Sequence, residues 1–126
     1  MKTLITVLIV VIIAAAVWLF LQPQQQSVTI SPSESTVREF TVEGSPFKFV
    51  PNEIRVQQGD TVRIVFNNVQ GTHDFVLDAF NVRTEIIQGG ESQTIEFVAD
   101  QNDKFEYYCS IGNHRAMGMV GTLTVE

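Results

Sequence analysis

From Phe40 onward, large apolar residues alternate with polar ones at a period of two. Phe40 and Val42 share a parity, as do Ile54 and Val56, then Val62, Ile64 and Phe66, then Phe75 and Leu77, Ile95 and Phe97, Phe105 and Tyr107, and Leu123 and Val125. Half-buried strands read this way, whereas a helix repeats its apolar positions every three to four residues. Turn formers separate the runs at Gly44-Ser45-Pro46, Gly59-Asp60, Gln70-Gly71, Gly89-Gly90 and Asp100 to Asp103. Seven short strands at this spacing predict an all-β fold, an antiparallel β-sandwich. Only residues 79–87 could hold a short helix.

The amino-terminal part is patterned differently. Leu4 to Leu21, L-I-T-V-L-I-V-V-I-I-A-A-A-V-W-L-F-L, is almost wholly apolar, preceded by Lys2 and followed by no charged residue before Glu34. As a helix it would span roughly 27 Å, near the thickness of a bilayer core and longer than the apolar stretch of most signal peptides. Residues 1–21 are therefore predicted to be a transmembrane anchor or signal helix. Retention is favoured, because cleavage after Ala14-Ala15-Ala16 would leave Val17 to Leu21 as an apolar stub on the mature protein. No Cys follows the run, which excludes a lipoprotein. Positive charge ahead of it predicts an amino terminus in the cytoplasm and a domain outside, periplasmic or at the cell surface. Residues 22–37, rich in Gln, Ser, Pro and Thr, read as a flexible linker. That leaves 38–126 as one small domain with a single core.

Charge narrows the partners. Eight Lys plus Arg against 14 Asp plus Glu give a net charge of −6 with the acids scattered, which argues against a nucleic-acid partner. A lone Cys excludes an internal disulfide, and an unpaired thiol in an exported protein points to another role, such as metal ligation.

That Cys lies in the chemically richest stretch, Y-Y-C-S-I-G-N-H-R-A-M-G-M-V-G, residues 107–121. Cys109, His114 and either Met117 or Met119 are a soft anion, a nitrogen donor and a weak sulfur donor. Trigonal copper sites with two His, one Cys and a long axial Met use this set for electron transfer. The chain has one other His, His73, at a predicted strand start. By strand parity His73 shares a face with Phe75 and Leu77, and Cys109 shares one with Phe105 and Tyr107, so both point inward. Met119 directly precedes the strand V-G-T-L-T-V, whereas Met117 sits in the loop between Ala116 and Gly118. Taken singly, a buried Cys is ordinarily inert and a lone His ordinarily structural. All three falling where one site would use them makes the joint coincidence much less plausible.

These residues also carry a family resemblance. From about Arg38 to Glu126 the chain resembles the cupredoxins, the plastocyanin and azurin type of blue copper protein. The C-x₄-H spacing is azurin-like, H-x₄-M followed by V-G-T-L-T-V resembles the end of plastocyanin, and F-K-F-V-P-N-E-I-R-V-Q-Q-G-D-T-V-R-I-V-F-N-N resembles the family's first half. The resemblance implies a Greek-key form of the sandwich and one copper ion cycling between Cu(I) and Cu(II). It makes His73, Cys109 and His114 the equatorial ligands and Met119 the axial one. It further implies a monomeric carrier of single electrons, not an enzyme, whose redox protein partners dock near His114. At one position the chain departs from the pattern: plastocyanin and azurin have Asn after the first His, and here it is Asp74.

Other chemistries can be built from the same residues. Cys109 could be a nucleophile with His73 or His114 as its base, although only Asp74 is available as a third orienting group. A zinc site could use Cys109, His73 and His114, but a thioether is a poor zinc ligand and a good copper one. Copper storage or delivery needs the same ligands as electron transfer. A binuclear Cys-x₃-Cys centre is excluded by Asn113, and oxygen-reducing copper chemistry by the want of further His.

Overall fold

The predicted alternation is plainest in β4 (Thr61–Asn68), where Val62, Ile64, Phe66 and Asn68 are buried and the residues between them are partly exposed. The structure is a computed structural model that describes residues 36–126 together with Met1 and Trp18. Apart from those two residues, the predicted membrane segment, and with it the linker up to residue 35, lies outside the described residues. Among the described residues no helix is long and apolar enough to cross a membrane.

With β1 (Val37–Ser45), β2 (Lys48–Val50) and β9 (Ser92–Val98), β4 forms a four-stranded sheet in the order β2-β1-β4-β9. A second sheet contains β3 (Glu53–Val56), β6 (Val76–Leu77), β7 (Val82–Arg83), β10 (Lys104–Tyr108) and β11 (Val120–Val125), in the order β3-β11-β10-β6-β7. β5 (Thr72–His73) and β8 (Ile87–Gln88) pair with each other alone. The first strand begins at Val37, one residue before the predicted domain start.

The sandwich of two sheets is as predicted, but the sheets are mixed rather than wholly antiparallel, since β1 lies parallel to β4 and β3 parallel to β11. The connections explain this. β2 doubles back on β1, the chain then crosses into the second sheet as β3, and the turn at Gly59 (φ 94°) sends β4 up alongside β1 in its own direction. Residues 79–87 hold no helix beyond one 3₁₀ turn, Asp78–Phe80. Asn81 adopts left-handed backbone after it, and the following Val82 and Ile87 are β-branched residues that pair as strands.

Between the sheets Phe49, Phe66, Phe75 and Tyr107 form one aromatic cluster, with Tyr107 stacked on Phe75 at 4.8 Å. The Tyr107 hydroxyl donates to the Pro51 carbonyl at 2.8 Å, so this buried phenol is satisfied. Burial pushes its pKa well above the ordinary tyrosine value. Its cross-strand partner is Gly121, where an added Cβ would lie 2.1 Å from Tyr107 Cζ. The ring occupies the volume of the missing side chain, and it fixes the β10–β11 register near the end where both strands meet the loop of residues 109–119.

Candidate metal centre

β4 and β10 end at the same pole of the sandwich, and β11 begins there. Cys109 is the first residue beyond β10 and Met119 the last before β11; the Cys109 amide donates to the Met119 carbonyl at 3.1 Å, extending the β10–β11 ladder into the site. The residues between them fold into successive turns. The His114 amide donates to the Ile111 carbonyl, and the His114 carbonyl accepts from the amides of both Met117 and Met119. His114 is thereby carried on a short, internally bonded loop rather than on a free one.

His73 arrives from the other sheet's end. β4 stops at Asn68, and the chain turns through Gly71 (φ 88°) into β5, where His73 pairs with Ile87 of β8. Asn68 holds both sides of this small ladder, because its amide nitrogen donates to the Gly71 carbonyl at 2.9 Å and to the Ile87 carbonyl at 2.8 Å. Gly71 also lies against the His73 ring, with a hypothetical Cβ 2.9 Å from Nε2.

These elements bring three donor atoms together. His73 Nδ1 and His114 Nδ1 are 3.2 Å apart, and Cys109 Sγ is 3.7 Å from the first and 3.5 Å from the second. A triangle with these sides has its centre about 2.0 Å from every corner, close to ordinary metal–nitrogen and metal–sulfur bond lengths. Two imidazole nitrogens and a thiol that face one another, rather than separate partners, fit a shared cation. No other group of three such side chains converges in this way among the described residues. His73, Cys109 and Met119 are buried, and His114 keeps one edge toward solvent. Met119 lies inside near Gly44, whose Cβ would be 3.6 Å from Met119 Cε, whereas Met117 is exposed.

Electrostatics agree with a ligand role. Burial holds the His73 pKa below the ordinary histidine value, the second imidazole lowers it further, and the Gln70 carbonyl and Asp74 oppose only in part. The neutral ring that results is the form that binds metals. Burial likewise pushes the Cys109 thiol up, against amide contacts that favour the thiolate. A bound cation would supply the positive charge that this buried sulfur lacks, displacing its proton.

Three residues that the sequence pattern did not single out complete the surroundings. Asn68 is one. Phe47 is another: it follows Pro46 at the β1–β2 turn, has φ 61° where Gly is the usual occupant, and sets its ring edge-to-face against His114 at 5.2 Å. An L-residue there costs roughly 1–2 kcal/mol of backbone strain, offset in part by the aromatic contact. The third is Arg83. Asp74 is fully buried, and its carboxylate accepts from the Ser110 amide at 2.7 Å, the Ser110 hydroxyl at 2.5 Å and Arg83 Nη2 at 3.0 Å. Strand alternation leaves Asp74 free to be either a solvated surface acid or a buried acceptor, and the structure shows the buried acceptor. Residues 73–77 are all buried, because the chain between β5 and β6 is not extended strand and alternation lapses there.

Comparisons with known proteins point the same way. A family model described as the cupredoxin-like domain matches residues 11–125. Plastocyanin of Nostoc punctiforme is 29% identical over 92 residues, a match covering 62% of this chain and 64% of that protein, so the chain spans less than two thirds of this curated relative. Among solved structures, reduced auracyanin from Roseiflexus castenholzii superimposes with a TM-score of 0.63 at 20% identity, covering 73% of this chain and 97% of the other. Copper nitrite reductase from Nitrosomonas europaea gives a TM-score of 0.65 at 23% identity over 72% of this chain and 42% of that one. At these identities the structural likenesses speak for the fold alone. The sandwich and the converging His, Cys and His donors, with a family match over nearly the whole sequence, make this chain a member of the cupredoxin-like domain family.

Proposed function

We propose that the protein is a type 1 copper protein that carries single electrons between redox partners outside the cytoplasm, and that it is not an enzyme. The observation that carries this reading is the triangle of His73 Nδ1, His114 Nδ1 and Cys109 Sγ, with sides of 3.2 to 3.7 Å. Met119, buried beside it, is the axial donor. Copper, when bound, supplies a one-electron Cu(I)/Cu(II) couple, and a thiolate with two imidazoles suits both states. The chain's part is to hold the donors still and keep water out. The β10–β11 ladder fixes Cys109 and Met119, the bonded turns fix His114, and Asn68 fixes the strand of His73, so little rearrangement accompanies a change of charge.

Partners meet the protein over the exposed edge of His114. Phe47, Ala116 and Met117 around that edge are exposed, with Ile111 half-buried beside them, and redox encounters use small, weak interfaces that such a patch can supply. The apolar run Leu4 to Leu21 supports membrane anchoring with the domain outside the cytoplasm. Adding Cu(II) to the purified protein should give one equivalent of bound copper and an intense visible thiolate-to-copper band. A colourless product whose thiol still reacts freely would overturn the reading.

A further inference from the structure

Asp74 poses a problem that its neighbours solve. It stands directly after His73, its carboxylate is fully buried, and every contact it makes is with a donor, so it is bound as an anion. A buried anion beside a redox metal opposes reduction, since it favours the more positive oxidised state. Arg83, on the edge strand β7, answers it. Its Nη2 reaches Asp74 Oδ2 at 3.0 Å and Ser110 Oγ at 3.3 Å, while the rest of the side chain remains exposed. Ser110 is the residue after Cys109, so one guanidinium closes a network tying the strand of His73 to the start of the loop that follows Cys109.

We propose that Arg83 is a positioning and potential-setting residue of the metal centre, the surface-borne counter-charge that lets a buried Asp74 hold the Cys109–Ser110 backbone without making the site hard to reduce. The proposal rests on the copper reading above. It assigns opposite signs to two neighbouring side chains. Loss of the Arg83 charge leaves Asp74 uncompensated and stabilises the oxidised state, and loss of the Asp74 charge leaves Arg83 uncompensated and stabilises the reduced one. A role in packing alone would move both variants in the same direction, because each would merely loosen the loop.

The test uses the full chain in detergent, loaded with copper, and compares Arg83→Gln, Arg83→Lys, Asp74→Asn and the Arg83→Gln/Asp74→Asn pair by potentiometric titration followed at the visible band. Arg83→Gln should shift the Cu(I)/Cu(II) balance at least tenfold toward Cu(II), a fall of about 59 mV for one electron. Asp74→Asn should raise the potential, Arg83→Lys should stay near the parent, and the double variant should return toward it, giving a large coupling in the double-mutant cycle. In the copper-free protein, Arg83→Gln should also speed hydrogen exchange at the Ser110 amide. An unchanged or raised potential in Arg83→Gln, or shifts of the same sign in both single variants, overturns the proposal. A parent protein that binds copper without colour would instead defeat the underlying functional reading, and the exchange rate at Ser110 would still report on the clamp.

Discussion

The contact between Gly121 and Tyr107 allows the sharpest forecast. In Gly121→Ala the new Cβ would sit 2.1 Å from Tyr107 Cζ, 2.3 Å from Cε2 and 2.4 Å from the hydroxyl oxygen, all inside van der Waals distance, so the ring must move. Overpacking of this kind costs about 1–3 kcal/mol. The moved ring also withdraws its hydroxyl from the Pro51 carbonyl, adding about 1–3 kcal/mol for buried polar groups left unpaired. Alanine recovers roughly 0.5–1 kcal/mol of backbone entropy relative to glycine. The net loss is about 1–5 kcal/mol, a sizeable share of the 5–15 kcal/mol typical of a whole domain, and should lower Tm by about 4–40 °C. Thermal unfolding of the copper-free variant followed by circular dichroism measures it, with Tyr107→Phe as the control that removes only the hydrogen bond. Copper affinity should fall as well, because Tyr107 and Cys109 lie two residues apart on the strand end that Gly121 faces. A Gly121→Ala protein melting within about 4 °C of the parent would refute the steric argument.

Cys109→Ser should retain the fold and lose the coloured site, since a hydroxyl cannot replace the soft anionic donor; an unchanged visible spectrum would contradict the assignment. Met119→Leu should raise the reduction potential and keep the blue colour, with Met117→Leu silent, and a shift confined to Met117→Leu would reverse the choice of axial ligand. Copper at a hundred times its dissociation constant should add about 2.7 kcal/mol of stability, reversed by a chelator, which calorimetry with and without metal will read. Ala116→Glu, exposed beside His114, should slow electron transfer to a partner while the spectrum stays intact; an unaltered rate would place the docking surface elsewhere.

The sequence made the fold and the metal donors legible for different reasons. Inside β4, β10 and β11 each strand turns one face toward the opposite sheet and the other outward, so a period of two marks the core directly, and Val62, Ile64, Phe66, Leu123 and Val125 are buried as parity predicts. The parallel pairings could not be read this way. They depend on where the chain crosses between sheets, and alternation is the same whichever direction a neighbour runs. The donors stood out because thiol and imidazole are scarce here, and three scarce groups at the ends of predicted strands constrain one another.

What surrounds the donors is built from common residue types, and their roles exist only in contact. Asn68 is the second Asn before a turn, unexceptional until its amide is seen bridging carbonyls on both sides of the β5–β8 ladder. Arg83 lay in the stretch that read as a possible helix, where an exposed cation needs no explanation. Asp74 was ambiguous because parity has meaning only while the backbone is extended, and the chain around it is not strand. A carboxylate in that position is tolerable only if donors surround it, since a buried unpaired charge costs several kcal/mol. The requirement could therefore be stated from the sequence once burial was granted, and Ser110 could be named as one partner. The identity of the cation could not. It comes from an edge strand whose register on β6, Val76 with Arg83, carries the guanidinium to the carboxylate, and that register is a property of the assembled sheet rather than of any local run of residues.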